Sequence, residues 1–229
     1  MAQPIRWPIR LVREARAAPE FAAYMAFAAP LLAGAPRGDG HPVLVLPGLG
    51  GSDLSTRPLR WFLGRLGYRA YGWGLGRNTG LSRGTATALD QRVAGLVDDH
   101  GRSVSLVGWS LGGVYAARLA AQASHGVRSV ITLGSPLAGA PRVPAGVPMT
   151  SVYSRTDAIV PWRASVVPTR TGSENVEVRG SHLGLGHNPA VLIVVADRLS
   201  QPEGAWHPFV APRWARRWVS DLNGGWVGR

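Results

Sequence analysis

Cysteine is absent from the 229 residues. That excludes disulfide bonds, cysteine-ligated zinc, iron–sulfur clusters and a cysteine nucleophile. Lysine is absent too: all 25 basic residues are Arg, so no Gly-Lys-Ser/Thr phosphate loop exists. Acidic residues are few, 13 against 25 basic ones, for a formal net charge of +12. Such an excess attracts anionic surfaces but does not define a fold, and no nucleic-acid recognition motif accompanies it. Long apolar runs are missing. The uncharged stretch Phe21 to Pro36 is shorter than a membrane span and contains Pro30. Arg6, Arg10, Arg13 and Arg16 before Ala33-Gly34-Ala35 have the outline of a secretory signal, but Glu20 interrupts it and Pro36 would follow the cut. The expectation is a cytoplasmic protein, peripheral to an anionic membrane at most. No metal or organic cofactor is expected.

What is present is a globular composition, 45% hydrophobic, at a length that suits one α/β domain. Three stretches divide it: a helical extension over 1–40, a core over 41–200, and a tail over 201–229 rich in Trp and Arg. In the extension the four Arg fall at spacings that place them on one helical face. In the tail, Trp214 and Trp218 are four apart, as residues docking one helical face on a core would be; a helix lying at a lipid interface is the other reading.

The core alternates strand-like and helix-like segments. Val43 to Leu46, Tyr68 to Trp73, Ser103 to Val107, Val127 to Leu133, Met149 to Tyr153 and Val176 to Val178 read as strands. Ser52 to Leu66, Ser82 to Asp99, Leu111 to Ser124 and Pro189 to Leu199 read as helices. The alternation predicts an α/β fold with a mostly parallel sheet flanked by helices. Function then gathers in the loops at the carboxyl ends of the strands.

Gly108-Trp109-Ser110-Leu111-Gly112 fits G-x-S-x-G between a strand and a helix. A sharp turn there lifts the Ser110 hydroxyl above the sheet, and the following helix start offers amides and a positive dipole to an oxyanion. On this motif the chain resembles the α/β-hydrolase superfamily, and more closely its bacterial lipase and esterase branch. The resemblance runs from His41 to Leu199. The segment Pro58 to Gly80, with Gly72-Trp73-Gly74-Leu75-Gly76-Arg77-Asn78, is also similar to small bacterial α/β hydrolases. The resemblance implies acyl transfer through a serine ester, usually to water.

It also implies roles for other residues. Pro47-Gly48-Leu49-Gly50-Gly51 stands where lipase-like families carry His-Gly-x-Gly-Gly, with Pro47 in place of the His. The oxyanion donors would be the backbone N–H groups of Leu49 and Leu111. Asp157 lies in an acid loop, followed by a hydrophobic pair and Pro161, and His182 in Gly180-Ser181-His182-Leu183-Gly184 resembles the catalytic-His loop. His187 stays open as a second candidate base or as a helix cap. Asp53, Asp98 and Asp99 read as capping or surface residues, Glu174 and Glu177 as a solvated face, and Asp197 as surface. Only a short Pro/Gly-rich loop separates Leu133 from Met149, so no cap is inserted there and an open site is expected unless the N-terminal helices fold over it. Trp109, Asn78 with Arg77, and Trp162 are candidate substrate contacts. The reading is a serine carboxylesterase or lipase acting on a small-molecule or lipid ester. An acyltransferase or thioesterase with the same triad, or a non-catalytic binder of anionic surfaces, stays open.

Overall fold

A computed structural model describes residues 12, 14–122, 126–213, 216 and 219–220. Arg6, Arg10, Arg13, His125, Trp214, Arg217, Trp218 and Trp226 lie outside the described residues, so the shared Arg face and the docking of Trp214 and Trp218 go unaddressed.

The described elements are α1 (Ala17–Gly34), β1 (Pro42–Leu46), α2 (Arg57–Leu66), β2 (Arg69–Gly72), α3 (Arg83–His100), β3 (Val104–Trp109), α4 (Leu111–Gln122), β4 (Val127–Leu133), β5 (Met149–Tyr153), α5 (Trp162–Ser165), β6 (Ser173–Val178), α6 (Pro189–Ser200) and β7 (Val219–Ser220). They form one sheet in the order β2-β1-β3-β4-β5-β6-β7. The first six strands are parallel and β7 is antiparallel to β6. The expected mostly parallel α/β sheet is what forms, and residues 134–148 hold turns without a helix, so no cap stands between β4 and β5.

The strand sequences explain the layering. Alternate residues point to opposite faces. Val43 and Val45 of β1 join Val107, Ile131, Val152 and Val176 in a core covered by α1, α2 and α6. Leu44 and Leu46 join Leu106 and Val130 in a second core under α3 and α4. A strand buried on both faces has no polar side, which is why β1 reads as an unbroken apolar run.

Helix ends follow local chemistry. Ser82 caps α3, its Oγ accepting from Thr85 N at 3.0 Å. Asn188 caps α6, accepting from Ala190 N at 2.9 Å ahead of Pro189. Gly67 and Gly101 close α2 and α3 in the left-handed conformation. The helix expected from Ser52 starts only at Arg57. Ser52 and Ser55 bond to backbone groups of 52–55, which competes with helix formation. The single-turn helix α5 and the short β7 were not expected. Glu174 is a correction: it is not on a solvated face but buried, paired with buried Arg198 at 2.8 Å and accepting from Thr150 Oγ1 and Phe209 N. No helix among the described residues is long and apolar enough to cross a membrane.

The chain leaves β1 for β2 on one side and returns to β3 on the other. Their connecting loops therefore diverge at the carboxyl ends of β1 and β3, where open parallel sheets form binding crevices.

Candidate active site

The β3–α4 turn occupies that crevice. Ser110 has φ of 53° and is the only non-glycine residue with positive φ among the described residues. Left-handed backbone costs a non-glycine residue roughly 1–2 kcal/mol, so the surroundings must hold it. They do: Ser110 N donates to Leu133 O at 2.8 Å, and Ser110 O accepts from Gly113 N at 3.0 Å. The turn also packs backbone on backbone. A Cβ on Gly112 would lie 2.3 Å from Leu46 O, and one on Gly108 would lie 2.4 Å from Gly112 O. Glycine at both positions is a steric requirement of the turn.

Two further loops bring an imidazole and a carboxylate together. His182 Nδ1 is 2.6 Å from Asp157 Oδ2, and both side chains are almost fully buried. The other carboxylate oxygen, Oδ1, accepts from Ile159 N and Val160 N, each at 2.8 Å. Donation of Nδ1–H to Asp157 leaves Nε2 as the basic nitrogen. The pair sits against the end of β4: a Cβ on Gly134 would come within 3.1 Å of Asp157 Oδ2 and 3.2 Å of His182 Nδ1. Leu133, the neighbour of Gly134, is the residue that anchors Ser110 N. The β4 end thus carries the serine turn on one residue and the His–Asp pair on the next. Among the described residues no hydrogen bond joins the Ser110 hydroxyl to His182, a link that in ligand-free enzymes often forms only around substrate. His187 has a different setting. Its Nε2 faces Ala17 O at 3.3 Å, its ring meets Phe21 edge-on, and burial lowers its pKa.

The β1–α2 loop faces the serine turn, since a Cβ on Gly48 would lie 3.1 Å from Ser110 Cβ. Within the described residues the Leu49 and Leu111 N–H groups donate to no protein acceptor. Asn78 holds this loop. Its backbone exchanges hydrogen bonds with Gly50 and Gly51, both at 2.7 Å. Its Nδ2 donates to Pro47 O at 2.9 Å, and its Oδ1 accepts from Tyr115 Oη and Gly80 N. Asn78 is 0% exposed. The sequence offers Asn78 as a substrate contact; the structure buries it as a buckle between two loops. Asp53 works beside it, accepting from Trp73 N and Gly74 N.

The two tryptophans offered as substrate contacts are each engaged by protein groups on part of their surface. Trp109 is half-buried against the core, and its Nε1–H donates to His182 O at 3.1 Å. It props the imidazole loop. Trp162 stacks on Tyr153 and lies against the guanidinium groups of Arg155 and Arg163, which occupy its ring. Arg77 is exposed on the β2–α3 loop. The apolar groups left exposed on the carboxyl-end loops are Leu49, Leu54, Leu75, Leu81, Ile159 and Leu183. A cavity of about 500 Å³ lies between α1 and α6, lined by Ala23, Phe27, Leu31, Pro189 and Ile193 with Glu20 and Arg179; Ser110 is not in its wall.

Two residues assigned no role at the site from sequence reach it from the N-terminal segment. Glu14 contacts the loops of Asp157 and His182, and Glu20 contacts Ser181. Burial raises the pKa of Glu20, against the opposing effect of its bonds from Ser181 and of Arg16. More than 100 residues separate these partners in sequence, and no local pattern announces such a contact. Among the described residues no group of three or more His, Asp or Glu is placed to hold a metal ion.

No protein-family model matches the chain, and no curated protein matches it. Solved structures do. Aspergillus fumigatus lipase B is similar with a TM-score of 0.57 and 17% identity, over 73% of this chain and 54% of that one. The mature Bacillus licheniformis lipase BlEst2 has a TM-score of 0.55 and 14% identity, over 72% of this chain and 94% of that one. An α/β serine hydrolase without a lid from Xanthomonas campestris has a TM-score of 0.52 and 17% identity, over 72% and 83%.

Proposed function

We propose that this chain, which has the α/β-hydrolase fold, is a serine hydrolase of carboxylic esters. The observation that carries the reading is the β4 end, where Leu133 anchors the left-handed Ser110 and Gly134 floors the hydrogen-bonded His182–Asp157 pair. A strained serine on a strand-to-helix turn beside such a pair has the parts of an activated nucleophile.

In this reading Ser110 Oγ attacks the ester carbonyl while His182 Nε2 takes its proton. Asp157 holds the imidazole tautomer and stabilises its cation. The N–H groups of Leu49 and Leu111 receive the oxyanion, which the α4 N-terminus also favours. His182 then protonates the leaving alcohol. Water, deprotonated by His182, attacks the acyl-enzyme; the bond to Ser110 Oγ breaks, His182 returns the proton to that oxygen, and the acid is freed. The exposed leucines and Ile159 on the surrounding loops suit an apolar acyl group, and two neighbours of the same fold are lipases.

The test is initial-rate hydrolysis of p-nitrophenyl esters from acetate to palmitate, wild type against Ser110→Ala. The expected result is a fall in kcat of at least about 10⁴-fold on removing the hydroxyl, with the chain-length profile separating esterase from lipase. A folded wild type that cleaves no ester and resists a fluorophosphonate overturns the proposal. Thioesters of the same acids, run in parallel, decide between ester and thioester.

A further inference from the structure

We infer that Glu14 and Glu20 are positioning residues for the His182–Asp157 pair, forming a two-carboxylate clamp supplied by the N-terminal segment. The inference rests on the triad reading above for its kinetic consequence, but its geometry stands independently.

Glu14 is only 3% exposed, and each of its oxygens takes a backbone donor from a different loop. Oε1 accepts from Ala158 N at 3.0 Å, and Oε2 accepts from Leu183 N at 2.8 Å. Ala158 directly follows Asp157, and Leu183 directly follows His182. One carboxylate thus ties the acid loop to the base loop at the residues adjoining the pair. Glu20 takes the other side of the imidazole. Its Oε1 accepts from Ser181 N at 2.8 Å and its Oε2 from Ser181 Oγ at 2.9 Å. The backbone on both sides of His182 is therefore held by carboxylates from outside the sheet. Arg16 adds a third tie, Nη2 to Thr156 O at 2.8 Å, just before Asp157. Room for the clamp is built into the base loop: a Cβ on Gly184 would fall 1.5 Å from Glu20 Oε2.

The chemistry suits the task. A carboxylate accepts from several N–H groups at once, and charge-assisted bonds of this kind are about twice as strong as neutral ones. Burial of an acidic side chain that serves no fold purpose is costly. Here the carboxylates serve two loops that meet through the 2.6 Å His–Asp bond and, before that pair, through the bonds of Ser154 and Thr156 with Gly180; a misplacement of about 1 Å costs on the order of 10²-fold in rate.

The variants are Glu14→Gln, which keeps volume but turns one acceptor into a donor facing an N–H, and Glu20→Leu, which removes both acceptors from Ser181. Asp90→Asn on the α3 surface is the control. Three measurements are made on each full-length protein: kcat and KM on a p-nitrophenyl ester, the thermal midpoint, and the downfield proton resonance of His182 Nδ1–H in its bond to Asp157. The expected result for Glu14→Gln is a kcat lowered by about 10- to 100-fold, with KM within about threefold, and a shifted or broadened resonance in a folded protein. Glu20→Leu moves both readouts in the same direction, and Asp90→Asn moves neither. Folded variants that keep both the wild-type kcat and the wild-type resonance overturn the clamp. Should either variant unfold, Ser181→Ala, which removes the Ser181 Oγ bond to Glu20 together with the one from Gly184 N, is measured in its place, and an unchanged resonance and kcat overturn the clamp. A wild type without esterase activity sinks the proposed function alone, because the resonance still decides whether the carboxylates position the pair.

Discussion

At Ser110 the backbone stores energy that the proposed reaction would use as geometry. Its φ of 53° turns the hydroxyl out of the sheet, and the conformation is one that glycine adopts without penalty. Comparing two variants that both lack the hydroxyl isolates this strain. Ser110→Gly should be more stable than Ser110→Ala by about 1 kcal/mol, a difference of roughly 2–4 °C in Tm for a domain of this size. Both should be inactive. Paired thermal melts check it, and a Ser110→Ala protein as stable as Ser110→Gly would show that the turn relaxes and holds no strain. Ser110 was legible because its motif is local: the strand, the glycines and the helix that impose the strain all lie within a few residues. Asn78 was legible only as a polar residue after a strand. That its carboxamide is spent on Pro47, Tyr115 and Gly80 depends on how two loops meet, which no spacing encodes.

The elements divide along the same line. A strand buried on both faces announces itself as an apolar run in β1, and β1, β4 and β5 all begin and end within a residue of where their sequences place them. The region before α2 misleads because Ser52 and Ser55 look like helix starters while bonding into turns of their own. Glu174 misleads because an acidic residue in a strand reads as solvated, whereas Arg198 from α6 reaches it in the interior. The loops after β1 and β2 are one unit through Asn78, and this yields an element-level prediction. Asn78→Ala leaves the buried Tyr115 hydroxyl without its partner, at a cost of about 1–3 kcal/mol. It also frees the loop that carries the Leu49 N–H, so kcat should fall by about 10²-fold, in the range seen for loss of an oxyanion donor, with little change in KM. Steady-state kinetics and urea unfolding of the variant measure both parts. An unchanged kcat would mean that the backbone bonds of Asn78 with Gly50 and Gly51 hold the loop unaided.

For the molecule as a whole, charge is arranged so that acid loosens the end of the sheet opposite the serine. Asp39 lies before β1 and gathers His41, Arg102 from the α3–β3 turn and Arg128 from β4. Burial works against its ionised form, but the hydrogen bonds from His41 and Arg128 outweigh it and hold its pKa well below the usual 3.8. A depressed carboxyl stabilises the fold above its unfolded pKa and loses that contribution as pH falls through the folded value. His41 is buried with its pKa held below 6.5, chiefly by burial, so the unfolded chain takes up its proton first and stability again falls with acid. Glu20 acts with the opposite sign. Its raised pKa gives a contribution that is complete below 4.5 and is lost as pH rises through the folded value. Unfolding midpoints in urea should therefore decline from about pH 6.5 downward on account of His41 and decline further below 3.8 on account of Asp39. Asp39→Asn should be less stable at pH 7, because Arg128, at 7% exposure, loses its carboxylate, and its curve should be flatter below pH 4. The Asp39 side chain is 44% exposed, so water screens these pairs and the step is smaller than full burial would give. A variant whose midpoint falls between pH 4 and 2 as steeply as the wild type would remove Asp39 as the source of the acid step. The same scan repeated at high salt separates this cluster from the net charge of +12. Self-repulsion among the exposed Arg is screened within about 10 Å at 0.1 M ionic strength, whereas the bond from buried Arg128 to Asp39 is screened much less. Salt should therefore raise the whole curve and leave the difference between wild type and Asp39→Asn largely in place.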